Sequence, residues 1–201
     1  MAELILLRHG QSQWNLENRF TGWVDVPLSP KGILEAKAAG MKIQGRQIDQ
    51  LFTSVLQRAM HTAQLAFEVA AIAAVPTTRA QELNERMYGD LQGLNKAEAA
   101  KQWGDEQIKI WRRSYDVPPP NGESLADTAA RVIPYWEQHI LPVIKTGKNV
   151  LIAAHGNSLR ALVMHLKGLT RAQVLELEIP TGAPLLFELD ATGHVTSERY
   201  L

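Results

Sequence analysis

Two short apolar runs, far apart in the chain, end alike. Leu6-Leu7-Arg8-His9-Gly10 closes a run that begins at Leu4, and Ile152-Ala153-Ala154-His155-Gly156 closes one that begins at Asn149. Runs without polar alternation fit strands buried on both faces, as in a parallel sheet covered by helices. In open α/β sheets, ligands bind outside the carboxyl ends of such strands. The pattern therefore predicts His9 and His155 at one edge of one sheet. Each is followed by a glycine that lets the backbone turn sharply and approach a ligand.

The segments between these runs alternate between strand and helix signals. Gly10 to Leu28 reads as a polar loop, and Ser29-Pro30 caps and opens a helix that Gly45 stops. Ile48 to Thr53 reads as a strand, with Ser54 as the cap of a longer helix through Ala70. Pro76 to Ala80 is a weaker strand, and Gln81 to Leu94 is irregular. Asn95 caps a helix to Trp103, Gly104 breaks it, and a second segment runs to about Ser114. Ser124 and Asp127 form a capping-box pattern ahead of a helix to about Ile144, with bends expected at Pro134 and Pro142. Helices follow from Ser158 to Leu166 and from Thr170, and the segments 184–189 and 194–199 form a hairpin. At 201 residues, one domain over 1–201 is the default. The expected fold is a three-layer α/β/α sandwich, with a mainly parallel central sheet and an antiparallel edge strand.

Composition removes several function classes. Twenty-one basic residues balance twenty-one acidic ones, whereas nucleic-acid and anionic-membrane surfaces usually carry a basic excess. Any anion site must come from local clustering. Cysteine is absent, which removes disulfides, thiolate zinc sites and cysteine nucleophiles. The start of the chain has no signal-peptide pattern and no run reaches the roughly 18 residues of a membrane span, so a cytoplasmic protein is expected. Neither a histidine zinc pattern nor a nucleotide-binding glycine motif occurs, so no metal, ATP or dinucleotide is expected.

Taken singly, a histidine at a strand end is more often a hydrogen-bonded structural residue. Arg8 beside His9, and Arg58 in the first turn of the helix after the Ile48–Thr53 strand, change that balance. Helix N-termini favour anions, and two arginines with two histidines at adjacent strand ends describe a pocket for a dianionic phosphoryl group.

The segments LLRHGQSQWNLENRFTGWVDVPLSPKG, TSVLQRAMHTA, LNERMYGDLQGLNKAEA, WRRSYDVPPP and LIAAHGNSLRALV resemble the cofactor-dependent phosphoglycerate mutases of the histidine phosphatase superfamily. The likeness runs from about Glu3 to Arg199. It implies that His9 is the nucleophile, as neutral imidazole is competent toward phosphorus. It implies that Arg8, Arg58 and His155 neutralise the transferring phosphoryl group, and that Ser12, Asn15, Asn157 and the Gly156 N–H add hydrogen bonds. Glu85 would carry the proton, since a like charge beside it favours the protonated form and suits a carboxyl acting as acid and base. Read without the family motif, Glu85 is a surface carboxylate paired with Arg86. Lys96, Arg112 and Arg113 would hold the substrate carboxylate or second phosphate, and Tyr88, Thr21 and Gly22 would shape the pocket. Alone, Arg112-Arg113 reads equally as a solvated helix end.

The resemblance implies interconversion of 2-phosphoglycerate and 3-phosphoglycerate, primed by 2,3-bisphosphoglycerate and without a metal, on small phosphoglycerates alone. The sequence departs from the longer members in two places. An insertion of roughly twenty-odd residues after the proline-rich loop is missing, and the chain stops at Leu201 where many members carry a mobile tail. Weaker exclusion of water should raise side phosphatase activity, and a monomer is expected as readily as a homodimer. Gly122-Glu123-Ser124-Leu125 also occurs in the phosphatase branch, which makes a histidine-dependent phosphatase the alternative. A non-catalytic phospho-ligand binding module is a third reading. Loss of His9 or Glu85 would have marked it, and both are present.

Overall fold

The computed structural model describes residues 1–201. In chain order the elements are β1 (Ala2–Arg8), α1 (Gln13–Leu16), α2 (Pro30–Ile43), β2 (Gln50–Thr53), α3 (Gln57–Ala70), β3 (Thr77–Arg79), α4 (Lys96–Trp103) and α5 (Asp105–Arg113). They continue with α6 (Leu125–Tyr135), α7 (Leu141–Lys145), β4 (Val150–Ala154), α8 (Gly156–Lys167), α9 (Arg171–Glu176), β5 (Leu185–Leu189) and β6 (Val195–Tyr200).

The strands form one sheet in the order β3-β2-β4-β1-β5-β6. β1, β2, β3 and β4 run parallel, and the terminal hairpin adds two antiparallel strands. Alternation explains the apolar runs. Leu4 and Leu6 of β1 join Val150, Ile152 and Ala154 of β4 in a core that includes Leu125, Val132 and Trp136. Ile5 and Leu7, with Leu151 and Ala153, face a second core built on α2 and α3 through Ala39, Ile43, Ala63 and Phe67. A strand covered on both faces has no polar side, and each fully buried Leu or Ile contributes roughly 1.5–3 kcal/mol. β1 pairs with β4 in register, Leu4 opposite Val150 and Arg8 opposite Ala154. The next residues, His9 and His155, are thus brought level at the carboxyl edge, where the His9 N–H donates to Ala154 O (3.0 Å). No helix is long and apolar enough to cross a membrane.

Local sequence signals place most caps. Ser29, Asn95, Ser124 and Thr170 accept N–H bonds at the starts of α2, α4, α6 and α9. Three segments differ from the sequence reading. The Gly10–Leu28 loop contains the single turn α1, closed by a reciprocal Ser12–Asn15 capping box. The helix expected from Ser124 to Ile144 is α6 and α7 joined by a π-helical turn at Trp136–Ile140, with Pro134 inside α6 and Pro142 opening α7. Pro142 lacks an N–H and its ring crowds the carbonyl one turn earlier, which the wider turn relieves. Ser54 caps nothing. α3 begins at Gln57, with Leu56 at the N-cap, and the Gln57 N–H donates to Asp25 Oδ1 (2.7 Å).

Candidate active site

Beyond the carboxyl ends of β1, β2 and β4 lies a cavity of about 210 Å³. β1 delivers Arg8 and His9, the start of α3 delivers Arg58, and the start of α8 delivers Gly156 and Asn157. The irregular 81–94 segment delivers Glu85 and Tyr88. Asn15, Thr21 and Gly22 complete one wall, and Lys96 and Arg113 enter from α4 and α5.

His9 is buried, and its Nδ1 lies 2.6 Å from Gly10 O. A carbonyl only accepts, so Nδ1 carries the proton and Nε2 keeps its lone pair. Burial first, then Arg58 and Arg8, holds the His9 imidazole well below its ordinary pKa, so it is neutral at pH 7. Gly10 is required by proximity. A Cβ there would sit 2.2 Å from Gly32 O in the first turn of α2. The Gly10 N–H donates to Thr62 Oγ1 (3.1 Å), and the Thr62 hydroxyl donates to Arg58 O (2.7 Å), tying the strand end to α3.

His155 lies beside His9, with ring centroids 4.9 Å apart at 59°. It is fully buried, and burial, with Arg58 next, holds it well below its ordinary pKa. Its Nε2 lies 2.7 Å from Ser54 Oγ. Arg58 is buried too. It donates to Val24 O (2.9 Å) and Gly22 O (2.8 Å), and burial lowers it to about 10, so it stays cationic. Arg8 Nη1 donates to Ile179 O (2.8 Å).

Glu85 is nearly buried and is not a surface partner of Arg86. Its Oε1 accepts the N–H groups of Arg86 (2.8 Å) and Asn157 (3.0 Å), and so sits at the N-terminus of α8. Arg86 is itself buried, over the Tyr88 ring at 4.5 Å. Asn157 Nδ2 donates to Tyr88 Oη (3.4 Å), and Asn157 Oδ1 accepts from Arg160 Nη1 (3.1 Å).

Three residues expected in the site lie outside its lining. Ser12 is consumed by the α1 capping box. Arg112 lines an adjoining groove with Asp105 and Lys109, which Lys96 and Arg113 of the cavity wall also border. His155 is not in the lining; it packs beside His9, with its Nδ1 buried and without a partner. Conversely, Arg19, Phe20, Arg160 and the Leu177–Ile179 strip line the cavity and were not expected there. Arg160 had a faint signal, lying on the helix that His155 opens. The strip had none, because it enters the site only through the fold.

The wall presents six cations (Arg8, Arg19, Arg58, Lys96, Arg113 and Arg160) against two carboxylates, Glu85 and Glu178. Arg8 Nε, Thr21 Oγ1 and Arg160 Nε are buried polar atoms without a protein partner. Buried donors are almost always satisfied, so this set fits a multiply charged anion carrying several acceptor oxygens. No group of three or more His, Asp and Glu side chains is arranged to hold a metal ion.

Comparisons with known proteins agree with this geometry. A 2,3-bisphosphoglycerate-dependent phosphoglycerate mutase of Beijerinckia indica is 56% identical over 200 residues, covering 98% of this chain and 97% of that protein. A protein of the same description from Protochlamydia amoebophila is 52% identical over 226 aligned positions, covering 99% of this chain and all of its own. Those positions outnumber the 201 residues here, so that relative carries extra residues, whereas the Beijerinckia protein is nearly collinear with this chain. Among solved structures, the mycobacterial glucosyl-3-phosphoglycerate phosphatase in complex with VO3 superposes with a TM-score of 0.83 at 26% identity, covering 100% of this chain and 97% of that one. The family model described as histidine phosphatase superfamily (branch 1) matches residues 4–199, and the chain belongs to that superfamily.

Proposed function

We infer that this chain is a 2,3-bisphosphoglycerate-dependent phosphoglycerate mutase, acting in the cytoplasm on 2-phosphoglycerate and 3-phosphoglycerate. One observation carries the chemistry: a neutral His9, with its proton committed to Gly10 O, presents Nε2 within a cationic cavity. The full-length likeness to mutases at 52–56% identity supports the choice of reaction.

His9 Nε2 attacks phosphorus and carries the phosphoryl group. Arg8 and Arg58 neutralise its oxygens as charge spreads over them, and the Gly156 N–H and Asn157 side chain add hydrogen bonds. His155 packs against the nucleophile's ring. The free oxygen of Glu85 gives the leaving hydroxyl its proton and takes one back from the accepting hydroxyl. Lys96 and Arg113, with Arg19 and Arg160, hold the remote anionic end. Bound 2,3-bisphosphoglycerate supplies the phosphoryl group that primes His9, and the unpartnered donors at Arg8, Thr21 and Arg160 suit it.

The test is a mutase assay of wild type and His9→Ala, with and without 2,3-bisphosphoglycerate, beside mass spectrometry of the primed protein. Mutase activity that survives either omission, or an unmodified His9, overturns the reading. A phosphatase is the second reading, favoured by superposition on a phosphatase at TM-score 0.83. Water would then be the acceptor, and hydrolysis of 3-phosphoglycerate would outrun its isomerisation.

A further inference from the structure

We propose that Arg131 and Glu123, neither of which lines the cavity, are positioning residues for Glu85. The inference rests on Glu85 being the proton carrier.

Glu85 occupies a stretch with no ladder of its own, between two short 3₁₀ turns at Gln81–Leu83 and Gly89–Leu91. Arg131, on α6, reaches across to it. Its Nη1 donates to the carbonyls of Glu82 (2.7 Å) and Asn84 (3.1 Å), and its Nη2 donates to that of Glu85 (2.9 Å). The same guanidinium is anchored on Glu123 through Nε to Oε1 (2.9 Å) and Nη2 to Oε2 (2.8 Å). Glu123 Oε2 also accepts the Met87 N–H (3.0 Å), so the pair grips the chain on both sides of Glu85. Trp23, whose Nε1 donates to Glu85 O (2.6 Å), lies 5.5 Å beneath the guanidinium.

An ordinary exposed ion pair adds little. This one is mostly buried, at 17% and 20% side-chain exposure, and its donors are spent on backbone carbonyls. Three carbonyls and a bidentate carboxylate need the planar five-donor fork of arginine, which lysine does not offer. A carboxyl transfers a proton efficiently only from hydrogen-bond distance in the right direction, and misplacement by an ångström is costly.

The chemistry supplies a selective readout. When an alkyl phosphate donates to His9, the P–Nε2 bond forms as the ester P–O bond breaks. The bonding pair goes to the leaving oxygen, which takes a proton from Glu85. A p-nitrophenyl phosphate expels a stable phenolate that needs no proton. Displacing Glu85 should therefore slow the first donor and spare the second.

The experiment measures phosphohistidine formation from 2,3-bisphosphoglycerate and from p-nitrophenyl phosphate in wild type, Arg131→Lys, Glu123→Gln and Glu85→Gln, with circular dichroism to verify folding. Both clamp variants should lose about 10- to 100-fold with the alkyl donor, part of what general acid catalysis supplies, and keep the aryl rate within about twofold. Glu123→Gln retains a neutral acceptor, so it keeps the test open if Arg131→Lys does not fold. Equal slowing with both donors, or slowing with neither, overturns the clamp while Glu85→Gln remains donor-selective. If Glu85→Gln is not donor-selective, the assignment of Glu85 itself fails.

Discussion

Lowering the pH should weaken this fold earlier than its acidic residues require, and the two buried imidazoles set the size of the effect. His9 and His155 both lie well below the ordinary 6.5, chiefly through burial. Below pH 6.5 the unfolded chain binds protons that the folded chain refuses, so stability falls as pH falls. At pH 5.5 each imidazole withdraws about 1.4 kcal/mol and the two together about 3 kcal/mol. Total stabilities are roughly 5–15 kcal/mol. Glu17, Asp49, Glu123, Glu188 and Asp190 are shifted downward, so their contributions persist above their ordinary values near 4 and vanish only below. The window from pH 7.5 to 5.5 therefore isolates the histidines. Urea unfolding followed by circular dichroism should show the midpoint falling by about 1 M, for a slope near 3 kcal/mol per M. His9→Gln and His155→Gln should each remove about half of that fall. An unchanged midpoint across the window, or a full fall in both variants, would show that the rings accept protons in place and refute the dry cationic setting. The same setting predicts that transfer to His9 persists below pH 6.5, where an ordinary imidazole would be mostly protonated.

Other substitutions probe the supports. Gly10→Ala puts a methyl group 2.2 Å from Gly32 O. It should cost at least about 1–3 kcal/mol and reduce phosphohistidine formation, read by urea midpoint and by mass spectrometry. Ser54→Ala leaves His155 Nε2 buried without its partner at 2.7 Å, so a loss of about 1–3 kcal/mol is expected, with slower phosphoryl transfer. Leu6→Ala, in the middle of β1 and fully buried, should cost about 2–5 kcal/mol while kcat in the folded fraction stays near wild type.

The chemistry-bearing half of the site was legible because it is local. His9 and His155 end apolar strands, Gly10 and Gly156 follow them, and Arg58 sits in the first turn of α3. Each is a short-range pattern whose meaning is set by sheet geometry. The fold was legible for the same reason, since β1 and β4 show no alternation and their partners are helices with ordinary caps. The hairpin was visible too, and it adds two antiparallel strands where one was expected, because β5 pairs with β1 before β6 pairs with β5. Arg112 and Arg113 could not be separated by reading alone, because which neighbour faces the cavity depends on how α5 is rotated against the domain.

Ser54, Glu123 and Arg131 were illegible for a different reason. Each has a complete local explanation: Ser54 as a helix cap, Glu123 as part of a loop motif, Arg131 as the solvated face of α6. In the structure each abandons that role for a partner distant in sequence, and Ser54 reaches His155 across 101 residues. A side chain that leaves its local role points to a demand made elsewhere, and at the start of α3 it is Asp25, distant in sequence, that takes the Gln57 N–H (2.7 Å). The Ser54 hydroxyl accepts the Leu56 N–H and also pairs His155 Nε2, which burial would otherwise leave unpaired. The histidines could be named from the sequence, but the residues that orient them and Glu85 are found only where the fold overrides what their neighbours in the chain would dictate.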